Sequence, residues 1–120
     1  AIKIAGAAAA SSTRGLFAAG NIGSSPTITA AIDYVEIATL GDALDFGDLT
    51  VARDSIAGMS NNVRAVFAGG RTGPPASEAL QDVIDFVTIA STGNASDFGD
   101  LAQATRYASG VADSHGGITQ

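Results

Sequence analysis

The sequence predicts an all-β chain made of two tandem units of about 50 residues, each of four short strands. Three observations carry that reading. The stretch from Ile32 to Leu49 (IDYVEIATLGDALDFGDL) returns from Ile84 to Leu101 (IDFVTIASTGNASDFGDL) at an offset of 52, with 12 of 18 positions identical. Arg14 to Gly20 (RGLFAAG) returns as Arg64 to Gly70 (RAVFAGG) at an offset of 50. The chain also holds 15 Gly, and much of its 46% hydrophobic content is Ala, which suits closely packed strands and tight turns better than long amphipathic helices. A period of this size belongs to propellers, solenoids or arrays before any ordinary globular fold. The units are set at residues 1–52 and 53–104, with 105–120 as the start of a third unit or a tail.

The first strand is expected from Ile4 to Ser11, returning from Ser55 to Ser60 and again from Tyr107 to Ala112. Matching Ile4-Ala5-Gly6 to Ile56-Ala57-Gly58 sets its offset at 52. A strand so poor in large side chains fits a crowded place where backbones approach closely. Polar turns follow, Ser11-Ser12-Thr13 and Asn61-Asn62-Val63, with the residue types of a hairpin. The second strand is expected from Gly15 to Ala18 and from Ala65 to Ala68, closing on Ala19-Gly20 and Gly69-Gly70. Glycine there permits positive φ.

Asn21 to Thr29 and Arg71 to Leu80 hold all three prolines, and across them the offset between the units grows by two residues, from 50 at Gly20 and Gly70 to 52 at Ile32 and Ile84. Such stretches read as surface loops that carry recognition. The third strand, Ile32 to Ala38 and Ile84 to Ala90, alternates with period two. Neither of its faces is cleanly polar, as expected for a sheet covered on both sides. A turn at Gly41 or Gly93 leads into the fourth strand around Leu44-Asp45-Phe46 and Ser96-Asp97-Phe98.

This order resembles the kelch repeat of β-propellers. Phe67-Ala-Gly-Gly70 matches the kelch strand ending in double glycine, and Ile84 to Ile89 matches its third strand. Phe46 and Phe98 stand where kelch carries a Trp, and Arg53 and Arg106 stand for the Arg that opens the next unit. The combination is similar to the degenerate kelch-type repeats of structural proteins in tailed bacteriophages from marine settings. The resemblance implies two propeller blades plus the first strand of a third, with a β-solenoid or stacked-sheet filament as the other architecture considered. Two blades cannot close a ring of 4–8, so the implied partners are other copies of the chain or flanking repeats of a longer one. The implied role is a non-enzymatic structural or adhesion module of a virion (tail, fibre or capsid accessory), virion-borne or extracellular, with a host-surface glycan or other virion proteins as further partners. The alternative is a lectin-like glycan-binding protein forming an oligomeric propeller. On this reading Phe46 and Phe98 are buried equivalents.

Composition and motifs narrow the chemistry. A net charge of −6 with one Lys and five Arg assembles no basic patch, which argues against nucleic-acid binding. Lys3 to Ser12 imitates a signal peptide, but its place in the repeat predicts a strand, and nothing approaches the ~20 apolar residues of a membrane span. The chain begins at Ala, so it is expected to be processed or to be a piece of something longer. Cysteine is absent and His115 is the one histidine, so a transition-metal site lacks ligands. Asp113-Ser114-His115 are consecutive residues with no nucleophile elbow before them. Gly69 to Gly73 lacks the Lys and helix of a phosphate loop. Asp42, Asp45 and Asp48, repeated as Asn94, Asp97 and Asp100, could ligate Ca²⁺, but their spacing suits turn capping. Asp33 and Asp85 are expected to pair with an Arg or with backbone N–H groups. Arg14 and Arg64 recur and so belong to the scaffold. No catalytic, cofactor-binding or metal-ligating residue, and no cofactor, is assigned.

Overall fold

A computed structural model describes residues 3–22, 27–73 and 79–112. These residues contain no helix. In chain order the strands are β1 (Lys3–Ile4), β2 (Ala7–Ala10), β3 (Arg14–Ala18), β4 (Asn21–Ile22), β5 (Thr27–Ile28), β6 (Ala31–Glu36) and β7 (Leu44–Asp48). The second unit repeats them as β8 (Ala57–Ser60), β9 (Arg64–Ala68), β10 (Arg71–Thr72), β11 (Ala79–Leu80), β12 (Val83–Thr88) and β13 (Ser96–Asp100). Each unit forms one four-stranded antiparallel sheet, in the orders β2-β3-β6-β7 and β8-β9-β12-β13. No ladder joins these two sheets among the described residues, so the repeats are stacked sheets and not rungs of one continuous sheet.

The four strands of each sheet lie where the repeat places them, for local reasons. Ser11 Oγ accepts from the backbone N–H of Thr13 and Arg14, and Asn61 Oδ1 does the same for Val63 and Arg64. These side-chain caps close the first hairpin of each unit. The outer pair carries a bulge at the same place in both, between Ile32 and Asp33 and between Ile84 and Asp85. The bulge bends the outer strand and increases its twist.

Three expectations are corrected. The stretches read as loops between the second and third strands carry short ladders, β4 with β5 and β10 with β11; their prolines, Pro26, Pro74 and Pro75, lie outside the described residues. The first strands correspond at an offset of 50, not 52. Ala5 and Ser55 share a left-handed φ of 60° and 58°, and Ile4 pairs with Asn21 as Asp54 pairs with Arg71. The two extra residues of the second unit therefore fall between β10 and β12. Third, Tyr107 to Ala112 forms no strand. It nevertheless keeps the repeat's geometry: Tyr107 has φ 58°, and its N–H donates to Ser55 O as Ser55 N–H donates to Ala5 O.

The core lies between the two sheets. Leu16, Ile32, Phe46 and Leu49 come from the first unit; Ala65, Phe67, Val87 and Ile89 come from the second. Each sheet thus has one face covered by its neighbour. A Cβ on Gly58 would sit 2.7 Å from Ala8 O, so β8 can approach β2 this closely only with glycine there.

Candidate interaction faces

The trailing face of the first sheet meets the leading face of the second through six hydrogen bonds, two of which join Ser60 Oγ to Ala10: it accepts from Ala10 N–H at 3.1 Å and donates to Ala10 O at 2.8 Å. Gly93 N–H donates to Phe46 O at 2.7 Å, and Ala95 N–H donates to Asp48 O at 2.8 Å. Asp48 N–H donates to Asn94 Oδ1 at 3.0 Å. Arg14 Nη1 donates to Ile89 O at 2.9 Å. The Arg14 guanidinium is held for this by Glu36, 2.7 Å from its Nε, and by the Tyr34 ring, 4.6 Å away. Around these contacts the apolar residues of the core exclude water.

The linker between the sheets is locked by a buried ion pair. Arg53 Nη2 lies 2.7 Å from Asp85 Oδ2, and both side chains are wholly buried. Arg53 also donates to the carbonyl oxygens of Gly69, Val83 and Phe67. Asp85 accepts from Thr50 N–H and Thr50 Oγ1, at 3.1 and 2.7 Å. A charge taken out of water is tolerated only with partners of this kind. Asp85 therefore pairs with an Arg, as expected, and that Arg comes from the linker. Arg53 and Arg106 are not repeat equivalents. Gly20 N–H donates to Arg53 O, and Gly70 N–H donates to Thr105 O, so the counterpart of Arg53 is Thr105.

The same two faces recur at the outer sides of the pair with apolar side chains exposed. On the leading face Phe67 is fully buried, whereas its counterpart Phe17 is 47% exposed. Ile89 is 1% exposed, and its counterpart Ile37 is 59% exposed. On the trailing face Phe46 is buried and Phe98 is exposed, which corrects the expectation that the two are buried equivalents. Arg64 stacks on Phe86 at 4.8 Å as Arg14 stacks on Tyr34. Its guanidinium donates no hydrogen bond among the described residues.

The remaining candidates fall as follows. Asp42 lies in the exposed turn before β7, while Asp45 and Asp48 lie on that strand. Among the described residues no group of three His, Cys, Asp or Glu could hold a metal ion. Asn94 is part of the seam, a role that its Asp-like repeat position did not announce. Asp113, Ser114 and His115 lie outside the described residues. Gly69 and Gly70 lie buried against Thr105 and Asp54 and form no anion cradle. Ala19 takes φ 60° where the second unit has Gly69 at φ 72°, so the Ala-Gly pair holds the conformation of the double glycine. No described helix is long and apolar enough to cross a membrane.

No family model matches the sequence, and no curated protein matches it. Among solved structures 79 chains match. The chain superposes on the structure of YjhT with a TM-score of 0.74 at 12% identity, over 91% of this chain and 35% of that one. At that identity the likeness shows the fold alone. The chain spans about a third of the length of YjhT.

Proposed function

We propose that this chain is a structural repeat module: two adjacent blades of a kelch-like β-propeller, working by face-to-face assembly and presenting its short hairpins for recognition. The observation that carries the reading is the seam between the sheets, because both faces that make it recur on the far sides of the same pair with their apolar side chains exposed. First strands that lie side by side (β2, β8, then residues 107–112) support a blade arrangement around a common axis. A match spanning 35% of a longer solved chain is consistent with part of a larger array. The exposed aromatics Phe17 and Phe98 are better accounted for as uncovered faces than as glycan platforms, which favours a structural over a lectin-like role.

The resemblance to marine phage virion proteins makes the particle surface the proposed location, as part of a tail, fibre or capsid accessory. Mass spectrometry of purified particles from a phage encoding this chain tests that location. Recovery at a stoichiometry of several copies per particle is expected, and absence from intact particles would contradict it. A glycan array, on which the module is expected to give no specific signal, separates it from a lectin.

A further inference from the structure

We infer that the trailing face of the second unit docks the leading face of the first unit of a second copy of this chain. The inference rests on the reading of the chain as an assembling repeat module, and it names the surfaces and the partner. Four of the six hydrogen bonds of the intramolecular seam supply its register; the two made by Ser60 have no counterpart, because Ala10 stands in its place on the incoming copy. Arg64 takes the part of Arg14, with Ile37 O of the incoming copy as acceptor in place of Ile89 O. Gly41 N–H meets Phe98 O as Gly93 N–H meets Phe46 O, and Ala43 N–H meets Asp100 O as Ala95 N–H meets Asp48 O. The Asp42 carboxylate accepts from Asp100 N–H in the place of the Asn94 amide, a substitution that keeps an acceptor and adds charge.

The outer parts of both surfaces are open. A Cβ on Gly99 would meet nothing within 4 Å, although one on its counterpart Gly47 would press on Gly93. The apolar side chains that the seam buries once, at Phe46, Phe67 and Ile89, stand exposed at Phe98, Phe17 and Ile37. Uncovered apolar faces of this kind mark interaction sites. Residues 108–112 occupy the innermost place next to β8, where a Cβ on Gly110 would lie 2.7 Å from Gly58 O. Beyond the Tyr107 N–H to Ser55 O bond, no backbone hydrogen bond holds them among the described residues, so the incoming β2 can displace them. The contact joins two different faces, so it is head-to-tail and propagates until a ring closes.

Sedimentation of the full chain tests this with one substitution on each face, Phe98→Glu (trailing) and Ile37→Glu (leading). Both side chains are exposed, so both variants should keep the parent's far-UV circular dichroism. The parent is expected to gain mass with concentration from 11.8 kDa, and each variant is expected to stay monomeric. An equimolar mixture of the two variants retains one intact pair of faces and should give a one-to-one dimer and nothing larger. Should Phe98→Glu unfold, Arg64→Ala replaces it on the same face, with at least a tenfold loss of association expected. A chain carrying both substitutions that associates as well as the parent would overturn this docking and leave the repeat-module reading standing. A parent that stays monomeric up to high micromolar concentration would overturn docking between copies, while the particle measurement still decides the location.

Discussion

Phe46 and Phe98 sit at the same position of one repeat, each with an edge-on aromatic neighbour (Tyr34 at 5.7 Å, Phe86 at 5.9 Å), yet Phe46 is 2% exposed and Phe98 is 56% exposed. Local structure is therefore the same in both, and the difference arises entirely from what lies beyond the sheet. The second sheet covers Phe46, and nothing described covers Phe98.

The two residues should respond differently to truncation. Phe46→Ala removes a buried aromatic from the inter-sheet core, a loss of about 3–5 kcal/mol. Phe98→Ala, measured at a concentration where the chain is monomeric, should cost well under half of that. Chemical denaturation of both variants checks it; equal losses would mean that Phe98 is covered in the isolated chain.

Gly47 and Gly99 form a second matched pair, with φ of 151° and 150°. An alanine at either place meets the same backbone strain, about 1–3 kcal/mol. At Gly47 the new Cβ would also lie 2.9 Å from Asn94 N and closer still to the Gly93 carbonyl. Gly47→Ala should therefore lower the melting temperature clearly further than Gly99→Ala, and the difference reads the tightness of the seam free of conformational strain.

Arg53→Met should be among the most damaging single changes. It leaves the Asp85 carboxylate buried with only Thr50 as partner, and breaking a buried pair in this way costs about 3–5 kcal/mol. A denaturation midpoint close to that of the parent would show that the linker is not locked by this pair.

Much of the architecture was legible in the sequence, because strand periodicity and turn chemistry are local. The hairpin caps at Ser11 and Asn61, the Gly41 and Gly93 turns and the four-strand order all follow from neighbouring residues. What was not legible depends on distant ones. The first strands are poor in large side chains, so the chance identity of Ile4-Ala5-Gly6 with Ile56-Ala57-Gly58 outweighs the true counterpart, Asp54-Ser55-Ile56, and the hydrogen bonds to Ala5 and Ser55 are needed to set the register. Arg53 was misassigned with Arg106 for the same reason, since its role is set by Asp85, 32 positions away. The short ladders of β4 with β5 and β10 with β11 are masked in the sequence by turn residues. The exposure of Phe98 could not be read from a repeat, because a repeat implies equal surroundings and the end of a stack breaks that equality.

Amide hydrogen exchange at four matched positions tests the seam most directly. Gly93 and Ala95 donate across it to Phe46 O and Asp48 O, whereas Gly41 and Ala43 donate no backbone hydrogen bond among the described residues. In the monomeric chain Gly93 and Ala95 should exchange at least a hundredfold more slowly than Gly41 and Ala43, and the latter pair should gain protection only as the chain associates. Equal exchange at all four positions in the monomer would contradict the stacked arrangement of the two sheets.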